Sequence, residues 1–337
     1  MSGRVLDEDA REEILRSQIL PLIFPAGDSA EAPTLILLAG QPGAGKSMIT
    51  GRLIAEHGSA LAVLNAEDLQ AFHPNGLGSS RPNSAEDAQA IGRDTAVWVR
   101  ECIRFSREHR RSLLLEGTFQ DASAALGTAA RFSDAGFQTR VVVAATRRAE
   151  SLLSVTSRYL REVQAGGSAR YSSREAHDAA FEATRNLVAA IDSAASIDRV
   201  TLVRRDGGTV FDGHRTDGDE AFAQAGAALA AAQSMRMSRF DATQWLSELH
   251  HVTDFAASRR DLSRGVTELL MDLHEVSLRE VIPELRVPAD GQFVSAMEQA
   301  TAARLVSLRR SVQPAQPVDA AAPVRVPGGP ERGGLSR

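Results

Sequence analysis

The residues best suited to chemistry in this chain are consecutive: Gly40-Gln41-Pro42-Gly43-Ala44-Gly45-Lys46-Ser47. The spacing G-x-x-x-x-G-K-S is that of a P-loop. Its glycines let the backbone close around a phosphate, its lysine brings a compact charge, and its serine hydroxyl reaches a magnesium ion. Lys46 is the only lysine among 337 residues, although Lys and Arg together number 38. A chain that otherwise uses arginine throughout keeps lysine where a planar guanidinium is too wide and rigid to enter a nest of N–H groups.

Such a loop works only between a strand and a helix, and the flanking sequence supplies both. Thr34–Ala39 reads as a buried strand, and Met48, Ile49, Leu53 and Ile54 as the helix after it, ended by Gly58. Further strands are predicted at 60–65, 111–116, 138–145 and 198–204. Helical stretches lie between them; Ala88, Ile91, Thr95, Trp98, Cys102 and Phe105, for example, recur at a spacing of three to four. Alternating strands and helices predict a three-layer α/β sandwich around a parallel sheet. A short amphipathic helix is expected over 8–24. Two successive helices, 149–163 and 174–194, flank Gly166-Gly167-Ser168 and read as a lid inserted over the site.

In an open parallel sheet ligands bind beyond the carboxyl ends of the strands. Those ends carry Asn65-Ala66-Glu67-Asp68, Glu116-Gly117-Thr118 and Thr146-Arg147-Arg148. Acids to take a hydroxyl proton and organise Mg²⁺, with arginines for developing charge, make a workable set for phosphoryl transfer. Glu67 and Asp68 are both candidates for the base. Arg158, in the first lid helix, and Arg170, beside the glycine turn, are candidate clamps over a triphosphate.

Composition sets outer limits. A net charge of −5 argues against a broad nucleic-acid-binding face. No apolar run approaches the ~20 residues a membrane span needs. The acidic start Leu6-Asp7-Glu8-Asp9 lacks the pattern of a secretory signal, and the lone Cys102 fits a reducing compartment, so a cytoplasmic protein is expected. Without a second lysine there is no N-K-x-D sequence to read guanine. His250, His251 and His274 have no zinc-site spacing and read as helix surface or core. The domains expected are a kinase domain over 1–215, a helical extension over 216–311 and a Pro/Ala/Gly-rich disordered tail over 312–337.

The chain resembles the zeta toxins, P-loop kinases of bacterial toxin–antitoxin systems. The shared features are the P-loop, an acidic strand end leading to His73-Pro74, then Glu116-Gly117-Thr118, Arg158-Tyr159, Ala169-Arg170 and Ala176-His177-Asp178, in order over roughly residues 8–212. The resemblance implies a P-loop kinase fold that uses ATP and Mg²⁺ to phosphorylate the 3′-hydroxyl of UDP-N-acetylglucosamine, with a small antitoxin protein as partner. It assigns the loop residues Gly40 to Ser47 to the nucleotide, Ser47 and Glu116 to the metal, Arg158 and Arg170 to the transferring phosphoryl group, and Glu116, Thr118 and His73 to the substrate. The family's usual base is an aspartate six residues before the histidine; that position here is Glu67, followed by Asp68. Phe119-Gln120 also lacks a basic residue found there in some relatives. A same-fold kinase acting on a dinucleotide or an antibiotic, and a nucleotide-binding partner protein without catalysis, are the alternative expectations.

Overall fold

The computed structural model describes residues 6–25, 31–74, 85–166, 171–218, 220–259, 263–285 and 292–311. The chain starts with α1 (Glu8–Ile14), capped by the Asp7 side chain, and continues through a π-helical turn into α2 (Leu20–Ile23). Then come β1 (Thr34–Ala39), α3 (Lys46–His57), β2 (Ala62–Asn65), α4 (Ala66–Leu69), α5 (Ala85–Glu108), β3 (Leu113–Gly117), α6 (Ala122–Asp134) and β4 (Gln138–Ala144). They are followed by α7 (Arg148–Gln164), α8 (Arg174–Ile191), β5 (Arg199–Val203), β6 (Thr209–His214) and α9 (Ala225–Ser234). Three further helices close the described chain: α10 (Arg239–Ser258), α11 (Arg264–Val276) and α12 (Gln292–Ser311).

The sheet has the order β2-β3-β1-β4-β5-β6. The first five strands are parallel, and their carboxyl ends line up: Asn65 pairs with Glu116, Ala39 with both Gly117 and Val143, and Ala144 with Val203. β1 lies at the centre and is buried on both faces, which is why it reads as an unbroken apolar run. Its side chains alternate between two packed layers. Leu35, Leu37 and Ala39 face a thick layer built from α1, α2, α5, α6, α8 and α9. Ile36 and Leu38 face Ile49 and Leu53 of α3. The expected α/β sandwich is therefore present, with the P-loop at the middle of its carboxyl edge.

One strand was not expected. β6 runs antiparallel to β5 at the sheet's edge, joined to it by a turn in which Gly207 has φ 85° and the Asp206 side chain accepts from the Gly208 N–H at 2.8 Å. Asp206-Gly207-Gly208 is a hairpin signal, but the half-exposed strand after it has too weak an apolar alternation to stand out.

Packing on the sheet continues past residue 215. Phe222, Ala225, Leu229 and Ala232, in and just before α9, belong to the sheet's own core. A second core begins at Met237 and gathers Trp245, Leu249, Leu269, Leu270 and Leu273 against Leu152, Leu153, Tyr159 and Leu160 of α7. This second core thus starts near residue 237, and it packs on the first lid helix. The tail over 312–337 lies outside the described residues.

Candidate active site

The loop between β1 and α3 bends as its glycines permit. Gly43 and Gly45 have φ of 76° and 91°, the left-handed region that side chains resist. At Gly43 a second constraint applies, since a Cβ there would lie 2.2 Å from the Ser151 carbonyl of α7. The lid helix thus rests directly on the loop. The Lys46 ammonium donates to the Gly40 carbonyl at 2.9 Å and the Gln41 carbonyl at 3.3 Å. Burial lowers its pKa, the charges of Glu116 and Glu67 act the other way, and Arg158 lowers it further. Ser47 is exposed on the first turn of α3.

Carboxylates converge on this lysine from the neighbouring strand ends. Burial raises the Glu116 carboxyl pKa, while the Lys46 charge and a 3.3 Å hydrogen bond from Thr50 act against it. Glu67 and Asp68 raise it again, which places both within electrostatic reach of Glu116. They are exposed in the first turn of α4, whose cap is Asn65, its side chain accepting from the Glu67 N–H at 2.9 Å. With Asn65 as the cap, Asp68 is not needed in that role. Thr118 is half-buried just past β3. Beside it Phe119 adopts φ 43°, with its ring buried against Gly117. A left-handed aromatic residue at a strand end is local strain of the kind concentrated at functional sites.

Several expected site residues lie elsewhere. His73 is fully buried, its Nε2 3.2 Å from the Asp94 carboxylate, which also takes Arg11 and the Leu6 N–H. It braces α5 and the N-terminal helix instead of facing a substrate. Arg147 is spent on a buried bidentate pair with Glu284, and Arg148 on a bidentate pair with Asp178. Neither is free to meet developing charge. Arg158 is exposed and makes no ion pair among the described residues, and its charge reaches Lys46. Arg170 lies outside the described residues.

Three contributors were not expected. Thr50 follows Lys46 by one helical turn, so the four-residue spacing could have revealed it. Arg205 lies two residues past the end of β5 and donates to the Gly43 carbonyl at 3.0 Å and to Ser154 at 3.1 Å; the strand-end rule finds it when applied to β5. The third is a buried relay. Gln41 Nε2 donates to the Thr146 carbonyl and to Ser151 Oγ at 3.1 and 3.0 Å; Ser151 Oγ lies 2.9 Å from His177 Nε2, and His177 Nδ1 3.1 Å from Asp178. With Nδ1 donating to Asp178, Nε2 is left to accept from Ser151. Burial lowers the His177 pKa and favours the neutral ring. Ser, His and Asp in a row resemble a nucleophile's relay, but Ser151 and His177 are wholly buried, and the chain of bonds ends on the loop.

The donors fit a nucleotide and a magnesium ion. The loop supplies backbone N–H groups and a lysine for phosphate, and Ser47 and Glu116 are of the oxygen-ligand type that magnesium takes. Among the described residues no group of three or more His, Cys, Asp or Glu could hold a metal on its own. A magnesium ion shared between one or two protein oxygens and substrate phosphates needs no such group.

The sequence profile described as Zeta toxin matches residues 24–216, more than half of the chain. This chain belongs to the zeta toxin family. It is similar to toxin PezT of Streptococcus pneumoniae serotype 4 (strain ATCC BAA-334 / TIGR4), with 24% identity over 185 residues that cover 55% of this chain and 73% of that protein. Toxin zeta of Enterococcus hirae is 22% identical over 180 residues, 53% of this chain and 63% of that protein. Among solved structures, one from the PezAT chromosomal toxin–antitoxin system of S. pneumoniae superposes with a TM-score of 0.64 at 18% identity, covering 75% of this chain and 100% of the other. At that identity the likeness carries the fold, a P-loop kinase sandwich. No helix among the described residues is long and apolar enough to cross a membrane.

Proposed function

We propose that this zeta toxin family member is an ATP-dependent small-molecule kinase that phosphorylates the 3′-hydroxyl of UDP-N-acetylglucosamine, acting in the cytoplasm as the toxin of a toxin–antitoxin pair held in check by a small antitoxin protein. The observation that carries the reading is a left-handed loop whose Lys46 ammonium donates to the Gly40 carbonyl while the charges of Glu116, Glu67 and Arg158 act on it. The loop residues Gly40 to Ser47 hold the ATP phosphates. Ser47 and Glu116 would hold Mg²⁺ together with the phosphates, and the ion would neutralise charge on the donor. Glu67, the position of the family's base, takes the acceptor hydroxyl proton, with Asp68 beside it as the alternative. The acceptor oxygen bonds to the γ-phosphorus as the bond to the β-bridging oxygen breaks, and ADP leaves. Arg158, with Arg170, meets the negative charge that spreads over the phosphoryl oxygens. Thr118 and the Phe119 turn border the acceptor.

The test is labelled ATP with a panel of acceptors: UDP-N-acetylglucosamine, other sugar nucleotides, a dinucleotide and aminoglycoside antibiotics. Label on UDP-N-acetylglucosamine, lost in Lys46→Ala, supports the full reading. Label on another acceptor alone moves the substrate and keeps the reaction. Tight nucleotide binding with no transfer to any acceptor would replace the kinase with a nucleotide-dependent binding protein.

A further inference from the structure

The P-loop sits mid-sheet, so a nucleotide anchored there has two sides on which to lay its nucleoside. On the β3 and β2 side lie Glu116 and, within electrostatic reach of it, Glu67 and Asp68. That side suits a hydroxyl acceptor and a metal, whereas the groove on the other side sets six arginines against five acids. On the β4 and β5 side a groove of about 910 Å³ opens beside the loop, within the usual size range of a small-molecule site. Its floor is the face of α7 that carries Ser154, Ser157 and Arg158. Two of its lining residues lead back to the phosphates: Arg205 bonds the Gly43 carbonyl, and the Arg158 charge reaches Lys46.

The outer wall of this groove comes from residues 235–248, beyond the stretch that matches the family. Met235, 47% exposed, presents apolar surface to it, and Gln244 is an exposed amide on α10 with both donor and acceptor capacity. Arg204 reaches Met235 Sδ at 3.8 Å, so the loop after β5 and the linker before α10 meet at one end. The planar guanidinium of Arg205 at the inner end can stack on a base.

We propose that the nucleoside half of the phosphoryl donor lies in this groove, and that residues 235–248 of the C-terminal extension complete its pocket, with Met235 and Gln244 as specificity-determining contacts to the base. This rests on the kinase reading above, and it makes the extension part of the nucleotide site. The family's own segment supplies the phosphate end, and the extension supplies the outer wall of the base end.

The experiment is calorimetric binding of ATP and of inorganic tripolyphosphate to the full chain, to Gln244→Trp, which fills the groove from an exposed position, and to Met235→Ala. Phe240→Ala, an exposed residue of α10 that does not line the groove, is the control. Gln244→Trp is expected to weaken ATP about 10-fold and Met235→Ala about 3-fold, the scale of one blocked or trimmed contact. Tripolyphosphate affinity stays unchanged in both, and Phe240→Ala changes neither ligand. Unchanged ATP affinity in both groove variants overturns the proposal and leaves the kinase reading standing. A parallel loss for ATP and tripolyphosphate also overturns it, because the wall then acts through the phosphate loop. If the unaltered chain binds neither ligand, this proposal and the kinase reading fall together.

Discussion

Removing the Glu284 carboxylate should detach the helical extension from the sheet. Glu284 accepts from Arg147 Nη1 at 2.8 Å and Nη2 at 3.1 Å, and also from the Met237 N–H at 3.0 Å. The side chains of Arg147 and Glu284 are only 11% and 9% exposed, so water cannot replace either partner. Glu284→Ala leaves a guanidinium and an amide N–H buried without an acceptor, a loss of about 3–5 kcal/mol. Arg147→Met together with Glu284→Leu removes both charges and should return to within about 1–2 kcal/mol of the parent. Urea unfolding followed by tryptophan emission reads this directly, since Trp245 lies in the second core and donates to the Ala149 carbonyl. A loss below about 1 kcal/mol in Glu284→Ala would refute the reasoning. So would an Arg147→Met, Glu284→Leu protein of full stability that has lost phosphoryl transfer, which would return Arg147 to the catalytic group.

Lys46→Arg should abolish transfer nearly as fully as Lys46→Ala, because the wider guanidinium cannot take the place of an ammonium 2.9 Å from the Gly40 carbonyl; normal turnover in Lys46→Arg would contradict this. Glu67→Gln should lower kcat by on the order of 10²–10⁴ and Asp68→Asn by less; the reverse order in steady-state assays would make Asp68 the base. Ser151→Ala removes one acceptor of the buried Gln41 amide and should weaken ATP binding by about 1–3 kcal/mol; a fall in stability with unchanged ATP affinity would reduce the relay to packing. Burial lowers the His274 pKa to about 4, with His250 and Arg304 lowering it further and Asp254 opposing them. Between about pH 6.5 and 4 the unfolded chain therefore binds a proton at this ring that the folded chain does not. Stability should fall by about 2 kcal/mol by pH 5, and His274→Leu should flatten that slope in urea titrations at successive pH values.

The parts of the site that the sequence made legible are those set by short-range pattern. The loop, its strand and its helix occupy one continuous stretch, and the glutamates at 67 and 116 could be placed because strand ends in a parallel sheet share an edge. What escaped was set by long-range pairing. Arg147 looks like a site arginine until Glu284 arrives from 137 positions away, and His73 looks substrate-facing until Asp94 of α5 takes its ring. Neither partner stands out by type or spacing. Arg205 and Thr50, by contrast, were within reach of the same strand-end and helix-face rules that found their neighbours.

Helix α7, the first lid helix, is buried on more than one side. Its sequence is amphipathic, with Glu150, Ser154, Arg158 and Arg161 on one polar side. In α7, Leu152, Leu153, Val155, Tyr159 and Leu160 are buried, and among residues 149–160 only Arg158 is exposed. One side of the helix rests on the P-loop, where Gly43 leaves no room for a side chain, and another carries the second core. Its burial extends past the apolar stripe to Ser151, Thr156 and Ser157, so the helix is covered on more than one side. The sheet edge alone cannot do that, so the chain requires a further layer, which α10 and α11 supply. The consequence for chemistry is that Arg158 projects from a fixed helix, with little reorganisation left to meet the charge that develops during transfer.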